Sequence, residues 1–159
     1  MEQQLNNAFA FAHGEGEAYW FLGTLLEMKA TAKDTNGACG LIESLHPPGY
    51  ATPLHVHQNE DEIFYVLEGE LTFTVGEKTI MAKPGTFLYA PRGIAHMYKS
   101  EGTVPSRILI MVTPAGLEQF FVEASVPADE YKLPPDSIVP DMDKLMAAAQ
   151  TYGIEIQGN

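Results

Sequence analysis

Scarcity bounds the chain before any motif does. Cys39 is the single cysteine, so no intrachain disulfide can form. Cations are few: nine Lys and Arg stand against 21 Asp and Glu, a formal net charge of −12. Gripping a phosphate backbone takes clustered Lys and Arg, so nucleic acid is excluded as a partner, and adhesion to an anionic membrane surface is disfavoured for the same reason. The acidic excess is read as serving solubility. No apolar run approaches the length of a membrane span. The first residues carry neither a basic segment nor a long apolar stretch, so no signal peptide is expected and a cytoplasmic location is. Neither a repeat nor a low-complexity segment interrupts the chain. Its 159 residues, 45% hydrophobic, suffice for one domain with a sizeable core.

What is present is a series of short strands. Residues 1–17 read as a polar arm or edge segment, with His13 on the surface. Strands are expected at Tyr19–Leu22, Leu25–Thr31, Ala38–Leu45, Leu71–Val75, Lys78–Ala82, Thr86–Tyr89, Ile94–Ser100 and Arg107–Val112. Asp34-Thr35-Asn36-Gly37 marks a hairpin turn, because Asn-Gly supplies the positive-φ positions. His46-Pro47-Pro48-Gly49 breaks the ladder, which leaves His46 out of step with the later histidines and structural or surface in role. Turn signals every eight to twelve residues indicate an all-β sandwich or barrel. Nothing helical is expected before Pro114. After it, Gly116–Ala124 and Asp141–Thr151 read as helices, the second closed by Gly153, with an irregular proline-rich stretch between them. The organisation is therefore a single domain over 1–159, with a barrel core at about 18–113 and a C-terminal helical segment at about 114–159.

The chemistry gathers between Gly49 and Gly69. His55 and His57 are two apart, so on a strand both side chains point to one face. Glu62 opens the next strand and shares a face with Phe64 and Val66, while Glu60 and Asp61 read as solvated loop charges. Two imidazoles and a carboxylate make three ligands. His96, the one remaining histidine inside an expected strand, is the candidate fourth. Such a set suits one borderline divalent metal, Fe, Mn, Ni, Co, Cu or Zn, and leaves coordination positions open.

These residues resemble the cupin superfamily. Gly49, His55, His57, Glu62 and Gly69 meet every spacing of its first motif, G-x5-H-x-H-x4-E-x6-G. Gly85, Pro91, Gly93 and His96 meet the second, G-x5-P-x-G-x2-H-x3-N, except that Ser100 stands at the Asn position. The resemblance implies a jelly-roll barrel and His55, His57, Glu62 and His96 as metal ligands. Stretches such as HVHQNEDEIFYVLEGELTFTVG and ILIMVTPAGLEQFFVE are similar to the single-domain bacterial branch of quercetin 2,3-dioxygenase type.

Alternation places Phe64, Val66, Phe73, Phe87, Tyr89, Tyr98, Leu109 and Met111 inside the barrel. Of these, Phe64, Phe73, Phe87, Tyr89, Tyr98 and Met111 are the expected substrate pocket. Apolar and aromatic walls suit an aromatic ligand better than oxalate or a sugar nucleotide, which call for several Arg or Lys contacts. The expected function is a metal-dependent dioxygenase acting on a flavonol or another phenolic or enol small molecule, with dioxygen as co-substrate and Glu62 as general base. A metal- and ligand-binding cupin without catalysis is the alternative, and an isomerase a weaker one. A homodimer is expected, paired through N-terminal strands near Tyr19–Phe21.

Overall fold

The structure is a computed structural model and describes residues 7–158. The first six residues of the expected arm lie outside the described residues. Alternating apolar positions produce two antiparallel sheets, which face each other in a jelly-roll arrangement.

The first sheet begins with β1 (Ala18–Phe21), β2 (Thr24–Ala30) and β3 (Gly40–His46), and adds β5 (Asp61–Glu68), β8 (Phe87–Ala90), β10 (Ser106–Thr113) and the two-residue β11 (Val126–Pro127). Its strand order is β11-β1-β2-β3-β10-β5-β8. The second holds β4 (His55–His57), β6 (Glu70–Val75), β7 (Lys78–Ala82), β9 (His96–Glu101) and β12 (Ile154–Ile156), in the order β12-β4-β9-β6-β7. The core lies between the sheets, where Ile42, Phe64, Phe73, Ile108 and Val112 are almost fully buried.

The β2–β3 hairpin forms as expected, but its connection is more than a turn. A one-turn helix, α1 (Ala32–Thr35), sits in a region expected to hold none. Asp34 stabilises it by accepting hydrogen bonds from the Thr31 N–H and hydroxyl, at 2.9 and 2.8 Å. Asn36 at φ 53° then ends it in the left-handed region. Helices α2 (Leu117–Ala124) and α3 (Met142–Thr151) fall where the sequence places them. Asp141 caps α3 by accepting from the Lys144 N–H at 3.0 Å. The buried Glu118 carboxylate ties α2 to the hairpin, accepting from Ala32 N at 2.6 Å and Gly116 N at 2.7 Å.

Two short strands, β11 and β12, go beyond the sequence reading. β12 pairs with β4, Ile154 opposite His57 and Ile156 opposite His55. β1 has β2 on one edge and β11 on the other, so both of its hydrogen-bonding edges are used within the chain. An N-terminal strand exchange through Tyr19–Phe21 would have to displace one of them.

Gly69, the last residue of the first motif, shows why that position excludes a side chain. Its φ is +75°, and a Cβ would lie 2.8 Å from Ser106 Cα and 2.9 Å from the Pro105 carbonyl. At the departed motif position, the buried Ser100 accepts a hydrogen bond from the Ser106 hydroxyl at 2.8 Å. Its backbone joins Gly49 and Tyr50 at 3.0 and 2.8 Å.

Candidate metal centre

Four side chains from three neighbouring strands converge between the sheets. His55 and His57 come from β4, Glu62 from β5 and His96 from β9, where His96 is the direct register partner of His55. One ligand atom from each lies within 4.8 Å of all the others. Glu62 Oε2 is 2.7 Å from His96 Nε2 and 3.0 Å from His57 Nε2. His57, Glu62 and His96 are each about as buried as the core itself.

Tautomers are set from outside the cluster. His55 Nδ1 donates to the Pro53 carbonyl at 2.7 Å, and His96 Nδ1 to the Ile94 carbonyl at 3.3 Å. With Nδ1 so engaged, each turns Nε2 inward, the orientation a metal-ligating histidine requires, and His96 Nε2 hydrogen-bonds Glu62 Oε2 at 2.7 Å. His57 differs. Its Nε2 is close to Glu62 but misaligned for a hydrogen bond, and neither ring nitrogen has a hydrogen-bond partner. A buried imidazole without partners, beside two further Nε2 atoms aimed at the same point and a carboxylate, is the donor set a divalent transition metal fits.

The electrostatics agree. Burial would raise the Glu62 carboxyl, but His57 and His96 outweigh it and hold the group well below its ordinary range. Burial would lower His57, and the Glu62 charge raises it instead. His55 is pushed down to about 4, first by burial and then by the neighbouring His96. The site keeps a carboxylate and at least one neutral imidazole at neutral pH, which are metal-binding forms.

One sequence expectation beside the cluster is corrected. Glu60 is not a solvated loop charge: it is 7% exposed and its Oε2 has no partner. The C-terminal turn packs against this loop, where Gln58 N donates to the Gly153 carbonyl at 3.0 Å and Gln58 Nε2 to Glu155 at 3.0 Å. Burial, then the nearby carboxylates, raises the Glu60 pKa, with His57 acting against them. Asp61 is the first residue of β5 and pairs with Arg92 at 3.2 Å.

A cavity of about 70 Å³ opens from the cluster. Phe64 and Tyr98 line it as expected. Phe73 does not reach it and packs behind them, 5.1 Å from the Phe64 ring and 5.2 Å from that of Tyr98. Phe87, Tyr89 and Met111, expected in the pocket, point away from it on the outer face of the first sheet. Leu109 does likewise. In β8, Leu88 and Ala90 are the buried residues, while Phe87 and Tyr89 are 63% and 49% exposed. A four-residue strand of apolar residues has no parity signal of its own, and pairing to β5 sets it. Met111 and Leu109 follow from the same pairing, opposite Ile63 and Tyr65. Thr52 and Pro53 of the first motif add to the lining, and most of the remaining wall comes from parts of the chain that the motifs do not cover: Phe21, Phe120, Phe121, Leu145, Ile154 and Ile156. The apolar faces of α2 and α3 hinted at a surface to cover, but nothing local says that it is this cavity. No Lys or Arg reaches the lining among the described residues.

The other histidines match their sequence reading. His46 is buried and structural, 3.0 Å from both the Ser44 and Tyr98 hydroxyls. His13 is at the surface beside Glu43.

Comparison with known proteins follows the geometry. A family model described as Cupin domain matches residues 42–112. Over 148 residues the chain is 24% identical to quercetin 2,3-dioxygenase of Bacillus subtilis (strain 168), covering 93% of this chain and 44% of that protein. The structure of KdgF from Halomonas sp. is similar with a TM-score of 0.61 at 16% identity, over 71% of this chain and 98% of the other. A predicted oxalate decarboxylase from Thermotoga maritima is similar with a TM-score of 0.58 at 23% identity, over 67% of this chain and 99% of the other. These structural likenesses speak to the fold. The chain spans about half the length of the curated relatives it matches.

Proposed function

With residues 42–112 forming a cupin domain, we propose that His55, His57, Glu62 and His96 hold one divalent transition metal in a dioxygenase for a flavonol or other phenolic or enol small molecule. The carrying observation is the pairing of this donor set with a cavity walled by apolar and aromatic side chains and free of Lys and Arg among the described residues. A dianion such as oxalate would find no Lys or Arg in those walls and only the ion itself to offset its desolvation. An aromatic ring loses nothing there.

When bound, the ion would supply a Lewis acid that lowers the pKa of a substrate hydroxyl. Glu62 accepts the hydroxyl proton at Oε2, the atom already shared by two imidazoles. Phe21, Phe120 and Phe121 exclude water and hold the ring, packed edge to face with centroids 5.2 to 5.8 Å apart. The protein works as a cytoplasmic homodimer in this reading.

The test is aerobic incubation of protein loaded with Fe, Mn, Co or Ni with quercetin and, separately, with a catechol. Loss of flavonol absorbance, or an oxygenated product by mass spectrometry, is expected. Absence of product with every metal and both substrate classes would refute the dioxygenase. Metal-dependent binding of the phenolic without product favours the second reading, a binding cupin.

A further inference from the structure

An imidazole that ligates through Nε2 carries its proton on Nδ1, and a buried Nδ1–H needs an acceptor. Two of the three rings in the cluster have one. His55 faces the Pro53 carbonyl at 2.7 Å and His96 the Ile94 carbonyl at 3.3 Å. His57 has none: its Nε2 lies 3.0 Å from Glu62, and its Nδ1 is buried without a partner. Among the described residues, the other buried side-chain atoms without a partner are His46 Nδ1 and Glu60 Oε2. His46 belongs to a separate network with Ser44 and Tyr98. One donor, His57 Nδ1, and one acceptor, Glu60 Oε2, are left beside the metal centre, three positions apart in the chain.

We propose that Glu60 is the positioning residue of His57, its carboxylate taking the Nδ1–H hydrogen bond, directly or through one water, when the ring ligates through Nε2. The inference rests on the metal-binding part of the functional reading and not on the reaction. A carboxylate behind a ligating histidine fixes its tautomer, orients the ring and raises its basicity. Backbone carbonyls serve His55 and His96, so His57 becomes the one ring of the three backed by a charge.

The loop after β4 is built to keep this carboxylate inside. Gln58 and Asn59 are exposed, whereas Glu60 turns inward and is 7% exposed. Both flanks are fixed. Gln58 N donates to the Gly153 carbonyl at 3.0 Å and Asn59 Nδ2 to the Tyr152 carbonyl at 3.4 Å. On the other side, Asp61 accepts from the Arg92 N–H at 2.9 Å and from its guanidinium at 3.2 Å. Arg92 is thereby committed to Asp61 and to the Thr113 carbonyl at 3.3 Å, and does not supply the missing partner. Of the charges that act on the Glu60 carboxyl, that of His57 is the largest, and Glu60 in turn favours a protonated His57. A buried carboxylate oxygen held in place without a donor is costly unless one arrives.

The test uses the full chain with zinc alone as the probe. Isotopic labelling of the histidine rings reads each Nδ1–H by NMR, and competition with a chromophoric chelator reads affinity. Zinc-loaded wild type should show slowly exchanging Nδ1–H protons for His55, His57 and His96. Glu60→Ala should lose that of His57 alone and bind zinc about 10- to 100-fold more weakly. Glu60→Gln keeps an acceptor oxygen without the charge, and should restore the His57 proton and part of the affinity. A merely structural role for Glu60 would not single out one ring. Affinity of Glu60→Ala within about twofold of wild type, or a retained His57 Nδ1–H, overturns the inference and leaves the metal site standing. A wild type that binds no zinc overturns the metal site and the inference together. Should Glu60→Ala misfold, Glu60→Gln decides: an upfield move of the His57 Nδ1–H alone supports the inference, and no movement overturns it.

Discussion

His46 should make the metal-free protein acid-labile in a way that one substitution removes. The ring is 1% exposed. Nε2 is 3.0 Å from the Ser44 and Tyr98 hydroxyls. The ring stacks on Tyr50 with centroids 5.1 Å apart, and Nδ1 faces the Ser106 backbone without a well-aligned hydrogen bond. Burial pushes its pKa down to about 3, with the Ser106 backbone offsetting only part of that. The unfolded chain returns it to about 6.5. Below pH 6.5 the unfolded state therefore binds a proton that the folded state refuses, and stability falls as pH falls until about pH 3. Over the two units from pH 6.5 to pH 4.5 the loss is about 3 kcal/mol from this residue. Gln at position 46 retains a polar end near the two hydroxyls and does not titrate. The assay is urea unfolding of EDTA-treated wild type and His46→Gln at pH 7.0 and pH 4.5. His55 and the carboxylates titrate in both proteins and cancel in the double difference. Wild type should lose about 3 kcal/mol more than the variant between the two pH values. Equal losses would refute a buried neutral His46.

Glu62→Gln retains shape but removes the charge between His57 and His96, and metal content after equilibrium loading should fall below a tenth of wild type, read by elemental analysis; even an outer-shell change typically costs 10- to 100-fold in affinity. Undiminished metal content would exclude Glu62 as a ligand. Gly69→Ala should cost about 3 kcal/mol or more in urea unfolding, combining positive-φ strain with a forced shift of Ser106 and Pro105. Gly85→Ala, at φ +91° with nothing within 4 Å, should cost only the strain, about 1–2 kcal/mol. Equal costs would show that the close approach at Gly69 relaxes freely.

Legibility tracked how local each cause was. His55 and His57 share a face because strand side chains repeat every two residues, and Glu62, Phe64 and Val66 could be placed inward because β5 is long and alternates. β8 is too short and too uniformly apolar for its own residues to set its parity, so Phe87 and Tyr89 were placed on the wrong face. Glu60 reads as a loop charge because the turn at Gly153 that holds its loop, through Gln58, lies far along the chain. β12 was invisible for the same reason: Ile154–Ile156 is a strand only because β4 offers it an edge. The one-turn α1 depends on capping by a single aspartate, a signal that the turn residues beside it masked.

These differences sort the site into two parts with separate origins. The donors occupy residues 55 to 96, inside the stretch that matches the cupin domain. Six of the cavity-lining residues, Phe21, Phe120, Phe121, Leu145, Ile154 and Ile156, lie outside that stretch. A metal motif can therefore pass between proteins intact while what enters the cavity changes with the C-terminal elements, and the motif says less about the substrate than about the ion. The two parts are nevertheless joined. Ile154 pairs with His57 and Ile156 with His55, so the strand that supplies cavity wall is hydrogen-bonded to the strand that supplies two donors. A change in the C-terminal segment that shifts β12 moves β4 with it. Substitutions at the cavity faces of α2 and α3, at Phe120, Phe121 or Leu145, change the walls without replacing any of the four donors.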